Sequence, residues 1–342
     1  MKSRYKITQE INEMEIVEYK GFKNLKLDNL SQINIISGEN NIGKTALLEA
    51  FFLYNEIVHL HNISTGLLTF QGFLLIAKNR DIPKNRLKNY LKNTYFLVKT
   101  DDVNINIRHK FSYKLTKDEQ QYIKKSFNQD YDDFIVAYLN NYLDILPISD
   151  KFSENFDYGN YINSSKPTNK KLVELYSEIQ SKGIQHKFLT YLKLLDSDIE
   201  WIEPQLLDDE MLLRINLKNP EHSLVSSELG EGTNRYIEIL ATLLSNEDGT
   251  VFIDEVENGI HYTKLYDVWK AIIEIVQKEN IQLFVTTHDR ESIEALAEAS
   301  KDMNFSKVSS IKLEKDENDV IFPIILNHDS FLATVDSGMD IR

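Results

Sequence analysis

Short runs of mixed apolar and polar residues open the chain, and Met14–Tyr19 (MEIVEY) and Lys23–Asp28 (KNLKLD) predict two strands joined by a Gly21–Phe22 turn. Gln32–Ser37 (QINIIS) is a third, more apolar run that ends in a glycine-bearing loop. From Lys44 the positions Ala46, Leu47, Leu48, Ala50, Phe51, Phe52 and Leu53 predict a helix with few polar residues. Between about His59 and Ile199 the pattern changes to alternating aromatics, Asn and Lys. Within this segment only Thr94–Lys99 and Val103–Lys114 have strand character. Helical spacing is suggested over Lys117–Leu146 and over Asn169–Leu195, the latter through Leu172, Leu175, Tyr176 and Ile179, with a turn at Gly183. Ser149–Lys170, rich in Ser, Asn, Asp and Tyr, is the candidate mobile loop. This middle segment has the character of an insertion.

Strand patterns return at Ile199–Gln205 and Met211–Leu217, followed by the loop SSELGEG and a helix from about Thr233 to Leu244. A regular alternation follows: strand Thr250–Ile253, helix Ile260–Gln277, strand Ile281–Thr286 and helix Arg290–Ala299. Short apolar strands alternating with helices predict a sheet covered by helices. Val308–Glu314 and Val320–Leu326 form a predicted hairpin around Lys315–Asp319, with a short helix after it.

Composition narrows the class. The chain has 342 residues, a prior of about two domains, and its 42% hydrophobic and 27% charged residues are those of a globular protein. A formal charge of −14 argues against a surface built to coat nucleic acid, although a local basic patch could still touch DNA. With no cysteine, disulfides, thiolate metal sites and cysteine nucleophiles are excluded. No apolar run approaches the ~20 residues that span a bilayer, so no membrane partner is expected and a cytoplasmic location is the default.

Candidate chemistry concentrates in four places. Gly38-Glu39-Asn40-Asn41-Ile42-Gly43-Lys44-Thr45 matches G-x-x-x-x-G-K-[ST] between a predicted strand and a predicted helix. Two glycines let the backbone wrap so that N–H groups face phosphate oxygens. The helix N-terminus, which continues through Ala46, adds its positive end, Lys44 reaches the β and γ phosphates, and Thr45 offers a hydroxyl to Mg²⁺. Val251–Glu255 (VFIDE) is an apolar strand ending in two acids, where Asp254 can hold Mg²⁺ and Glu255 can orient the attacking water. Phe284–His288 ends the next strand with a histidine. Alone it would be a capping or packing residue; after a phosphate loop and an acid pair it becomes a candidate γ-phosphate sensor. Leu229–Arg235 (LGEGTNR) is a second glycine loop opening a helix, either a simple N-cap or an anion-binding helix terminus aimed at the nucleotide of another subunit.

The ordered series GENNIGKT, LGEGTNRYIEIL, VFIDEVENGIHY and QLFVTTHDRESIEA resembles the ABC-type AAA ATPases related to RecF and to the OLD (overcoming lysogenisation defect) proteins. The likeness covers about 15–58 and 195–300, close to half of the chain. It implies an α/β P-loop NTPase fold: an ABC ATPase head, a mixed sheet covered by helices, split into 1–58 and 200–342. The inserted subdomain at 59–199 would be mainly helical and serve as a lid, arm or partner-docking element. The substrate is then ATP with Mg²⁺, Asp254 and Thr45 hold the metal, Glu255 and Lys44 support hydrolysis, and His288 is the switch histidine. Two heads would pair head to tail in a homodimer or higher oligomer. The signature Leu229, Gly230, Glu231, Gly232 and Thr233 of one would close on the ATP of the other, and Glu257, Asn258, Gly259 and His261 would form the crossing D-loop.

Some positions depart from that pattern. Leu229 or Glu231 falls where relatives place a serine against the γ-phosphate. Lys20 stands where the first hairpin often carries an arginine near the nucleotide, and it offers one nitrogen rather than a fork. Gln71 is the candidate glutamine for the metal. Lys78, Arg80, Lys84, Arg86, Lys88, Lys92 and Lys99 make one basic segment, either a solvated or partner-facing surface or a nucleic-acid contact. His59 and His61 lack a third ligand for a metal site.

The resemblance implies a slow, nucleotide-gated ATPase in anti-phage or foreign-DNA defence, controlling a separately encoded effector. A RecF-like or SMC-like DNA-binding role in repair and an ATP-binding scaffold with little turnover are the alternatives. Many OLD-type relatives carry a TOPRIM nuclease. The 54 residues after His288 hold acids only in a predicted turn and tail, so no nuclease is expected in this chain.

Overall fold

A computed structural model describes residues 10–61, 95–99, 104–111, 115–126, 133–139, 142–147, 160–219 and 223–341. Gln71 and the basic positions 78–92 lie outside the described residues, as do the side chains of His59, His61 and Lys99.

Strands β1 (Met14–Tyr19) and β2 (Phe22–Leu27) form the opening antiparallel hairpin, turning at Lys20–Gly21 with Lys20 at φ 49. β3 (Ile33–Gly38) leads into the phosphate-loop sequence and α1 (Lys44–His61). β4 (Tyr95–Lys99) and β5 (Asn104–Phe111) follow. The helix expected over Lys117–Leu146 is only partly helical: α2 (Lys117–Ser126) is followed by the strands β6 (Asp133–Leu139) and β7 (Tyr142–Pro147). Two local causes account for this. Thr116 and Glu119 start α2 as a capping box, Thr116 N–H donating to Glu119 Oε2 at 2.7 Å and Glu119 N–H to Thr116 Oγ1 at 3.3 Å. Beyond it Phe134 and Val136, two apart, are both buried, a strand period rather than a helical one. Strands β4 to β7 extend the opening hairpin into one antiparallel sheet of order β2-β1-β4-β5-β6-β7.

The loop expected at Ser149–Lys170 also contains structure. β8 (Tyr161–Ile162) is a buried two-residue strand, and α3 (Asn169–Ser181) starts at its N-cap Thr168. α3 and α4 (Gln185–Leu195) are separated at Gly183, whose φ of 70 suits a residue without Cβ. β9 (Ile199–Leu207), β10 (Glu210–Leu217) and β11 (Leu224–Val225) form a small antiparallel sheet. The glycine loop then opens α5 (Glu231–Ser245), followed by β12 (Thr250–Ile253), α6 (Tyr262–Lys278), β13 (Gln282–Thr286) and α7 (Arg290–Asp302). β14 (Val308–Lys315), β15 (Ile321–Leu326) and α8 (His328–Asp336) complete the described chain.

The central sheet runs β15-β14-β3-β13-β12-β8. It is parallel from β14 to β8, with β15 antiparallel at one edge. Its inner strands β3, β13 and β12 are buried at every position because both faces are covered, whereas the edge strand β15 alternates between half-buried and exposed residues. Alternate side chains go to opposite cores. Ile35, Val251, Ile253, Leu283 and Val285 pack with α3 to α8, while Ile36, Phe252, Phe284 and Ile311 pack with α1 and the sheet of the opening hairpin. Phe284 stacks on Phe51 of α1 at 4.3 Å between ring centroids and on Phe252 at 5.6 Å, which fixes α1 over the middle of the sheet. This layering is the expected mixed sheet covered by helices. Helices α3 and α4, from the segment read as an insertion, share the core of α5 and α6.

Candidate active site

Three neighbouring parallel strands, β3, β13 and β12, end on the same edge of the central sheet, where open α/β folds bind ligands. β3 delivers the glycine loop, β12 delivers Asp254 and Glu255, and β13 delivers Thr286 to His288. The loop needs its glycines. Gly38 and Gly43 sit at φ 137 and 116, and a Cβ on Gly38 would come within 2.7 Å of Leu313 O. Asn41 takes φ 64, a conformation asparagine tolerates better than most residues.

Lys44 is buried and its Nζ donates to the carbonyl oxygens of Gly38 at 2.8 Å and Glu39 at 3.0 Å. Burial lowers its pKa, opposed by the negative charges of Glu255, Glu257 and Asp254. Thr45 Oγ1 donates to both oxygens of Asp254, at 3.0 and 3.2 Å. The hydroxyl and carboxylate therefore meet across 209 residues of sequence. Burial raises the Asp254 pKa, while hydrogen bonds from Thr286 and Thr45 pull it back. An oxygen pair beside a phosphate-wrapping loop fits Mg²⁺, a hard cation that keeps several waters and takes its remaining ligands from phosphate. When bound, that ion would neutralise charge developing on the phosphate oxygens.

Glu255 has φ 54, an uncommon backbone state for a residue with a Cβ. Its Oε2 accepts from Asn258 Nδ2 at 3.2 Å, and that amide also donates to Ser164 O at 2.7 Å. His288 stands beside both acids, its Nδ1 lying 3.1 Å from Glu257 Oε1 and 3.9 Å from Glu255 Oε1. The backbone N–H of His288 also donates to Glu257 Oε1 at 3.0 Å. Burial raises the Glu257 pKa, opposed mainly by that N–H. A carboxylate, an imidazole and a buried ammonium thus gather at the mouth of the loop, a set able to orient water against a phosphate and respond to its charge.

The remaining sequence-derived candidates have definite places. Lys20 forms an ion pair with the buried Glu49 on α1 and lies 5.1 Å over the Tyr19 ring. Gly230 is the N-cap of α5. Of the two residues that could stand for the missing serine, Leu229 packs against the core, whereas Glu231 is exposed with Lys166 at 3.8 Å. Thr233 N–H donates to Gly230 O at 3.2 Å within the first turn. Gly232 lies flat on the chain at Gly259, where a Cβ would overlap the Gly259 carbonyl oxygen. His261 caps α6, its Nδ1 lying 2.9 Å from Thr263 Oγ1. Of the residues read as a D-loop, Glu257 and Asn258 turn their side chains to His288, Glu255 and Ser164 of this same chain.

Two residues escaped the sequence reading. Thr286 Oγ1 donates to Asp254 Oδ1 at 2.6 Å and accepts from Glu255 N–H at 2.8 Å. Arg235, 2% exposed, donates to the carbonyl oxygens of Asp254 at 2.6 Å and Glu255 at 3.2 Å. A signal for the second existed: α5 is buried on every side from Asn234 to Leu244, and an arginine there must find partners inside the protein.

Known proteins resemble this chain in family and in fold. Residues 33–294 match the family AAA_21, described as "AAA domain, putative AbiEii toxin, Type IV TA system". A Helicobacter pylori protein named ATP/GTP phosphatase is 24% identical over 92% of this chain and 94% of its own length. An uncharacterised protein of Methanocaldococcus jannaschii, MJECL10, is 48% identical over 44 residues, 13% of this chain and 20% of that protein. Among solved structures, the Smc head bound to the C-winged helix domain of ScpA has a TM-score of 0.51 at 14% identity, covering 92% of this chain and 98% of its own. That likeness concerns the fold.

Proposed function

We propose, for a chain that belongs to the AAA_21 family and is an ATPase of the AAA/SMC-like P-loop type, that ATP hydrolysis gates contact with a partner protein. ATP binds with Mg²⁺ in the Gly38–Thr45 loop. Lys44 and the loop amides neutralise the phosphates, Thr45 and Asp254 hold the ion, Glu255 aligns the water and His288 senses the γ-phosphate. The observation that carries this reading is the meeting of Thr45 with Asp254, beside Glu255 and the buried Lys44. The Helicobacter pylori relative, named as acting on ATP and GTP and alike over nearly the whole chain, supports nucleotide hydrolysis.

Hydrolysis is slow, and two heads pair head to tail through the Leu229–Thr233 loop. The segment 59–199 docks a separately encoded effector in anti-phage or foreign-DNA defence of the RecF/OLD-like kind. The test is turnover and assembly of the purified chain. Lys44→Ala should abolish ATP binding, and Glu255→Gln should bind ATP, turn it over at least 100-fold more slowly and accumulate as a dimer by light scattering. Undiminished hydrolysis in Lys44→Ala would sink the site assignment, and a monomeric ATP-loaded Glu255→Gln would sink the pairing.

A further inference from the structure

We propose that Arg235 and Thr286 are positioning residues that clamp the Asp254–Glu255 turn from two sides, and that Arg235 ties this turn to the glycine loop at the head of α5. The inference rests on the reading of Asp254 and Glu255 as the metal-holding and water-aligning carboxylates.

The turn needs a clamp because Glu255 is held at φ 54, a state that costs an L-residue roughly 1–2 kcal/mol. On one side stands a single hydroxyl. Thr286 Oγ1 spends its only proton on Asp254 Oδ1 at 2.6 Å and offers a lone pair to the Glu255 N–H at 2.8 Å. One atom thereby fixes both a carboxylate oxygen and the next residue's backbone. Serine can repeat this arrangement; valine, nearly the same shape, can make neither bond.

On the other side stands a buried guanidinium. One terminal nitrogen of Arg235 donates to Asp254 O at 2.6 Å and Glu255 O at 3.2 Å. The other donates to Asn163 O at 2.6 Å and Glu238 Oε2 at 3.2 Å. Lysine, with one nitrogen, cannot bridge the turn and its two other partners together. Arg235 lies five residues after Gly230, about one and a half turns along the same helix. A hydrogen-bonded helix moves as a rod, so a displacement of the glycine loop is carried to the carbonyl of Glu255. Gly232, seated on Gly259, gives the loop a second contact with the residues that follow the acid pair. The loop and the hydrolytic glutamate are therefore linked within one chain.

The experiment compares Thr286→Ser, Thr286→Val and Arg235→Lys in the full chain. It measures kcat and KM for ATP, ATP affinity by titration calorimetry, and the thermal unfolding midpoint. Thr286→Val and Arg235→Lys should lose about 100-fold in kcat, the scale of a misplaced reacting group, while KM and calorimetric affinity stay within about threefold. Thr286→Ser should restore kcat to within about threefold of wild type. Wild-type kcat in Thr286→Val, or an equal defect in Thr286→Ser, overturns the proposal. So does a kcat loss matched by equal losses of affinity and thermal midpoint, which is the mark of a merely structural role. Wild-type kcat in Arg235→Lys overturns the Arg235 half of the clamp, and should that variant not fold, Arg235→Gln is read by the same criteria. Full activity in Glu255→Gln would instead refute the underlying reading, and this inference with it.

Discussion

Replacing Glu56 by glutamine should stabilise the protein at neutral pH and remove the share of its stability loss between about pH 5 and pH 8 that Glu56 causes. Glu56 lies on α1 with 1% of its surface exposed. Its Oε1 accepts from Asn55 Nδ2 at 3.5 Å, and Oε2 has no hydrogen-bond partner among the described residues. Burial pushes its pKa up from 4.5 to about 8, partly opposed by hydrogen bonds from Asn160 and Asn55. The folded pKa is raised, so the stability contribution is complete below the unfolded value and is lost as pH rises towards the folded one. Across that window the unfolded side chain is ionised while the folded one keeps its proton, and unfolding releases it. The slope is about 1.4 kcal/mol per pH unit, which amounts to about 3 kcal/mol by pH 7. Glutamine keeps the shape and an acceptor oxygen without ever ionising. In urea unfolding followed between pH 5 and pH 8, the stability of Glu56→Gln relative to wild type should grow from below about 1 kcal/mol at pH 5 to about 3 kcal/mol at pH 7. Parallel pH profiles would refute the reasoning, because they would mean that the folded protein carries Glu56 as a carboxylate.

Two further substitutions separate local geometry from chemistry. Gly232→Ala places a methyl group on the Gly259 carbonyl, so the backbone must shift; the expected cost is about 1–3 kcal/mol in urea unfolding together with a loss of ATP turnover, and unchanged values of both would contradict the close approach. Thr168→Ala removes the hydroxyl that accepts from Lys171 N–H at the start of α3. It should lower stability by about 1 kcal/mol in the same assay and leave kcat untouched, since α3 supplies no side chain to the site.

Much of the architecture was legible because it is written in short-range patterns. The strand, glycine loop and helix at 33–61, the alternation from Thr250 to Asp302 and the hairpin at 308–326 each carry their own periodicity and turn residues. The phosphate loop was equally plain, since its spacing follows from local backbone wrapping. The two departures have different causes. β6 and β7 pair with each other, Leu139 opposite Tyr142, and β6 pairs with β5, so this stretch is a hairpin whose buried alternation at Phe134 and Val136 is a strand period over too few residues to stand out beside the helix before it. β8, two residues long, exists because Asn160 O accepts from Phe252 N–H and Ile162 O from Asp254 N–H, each at 2.8 Å. No local pattern announces such a strand.

By itself the sequence determined which chemistry the chain can hold: an anion-wrapping loop with its lysine and threonine, an acid pair at a strand end and a histidine after the next strand. Those are properties of residue type and of spacing over a few positions. Only the tertiary structure decided how these groups are aimed. The parallel order β3-β13-β12 brings Thr45 to Asp254 and places His288 between Glu255 and Glu257, while the packing of the opening hairpin on α1 leaves Lys20 on Glu49. It also set Thr286 and Arg235 around the Glu255 turn. These contacts join residues far apart in sequence, and which of them form depends on the folding of the whole sheet, which local propensity does not encode.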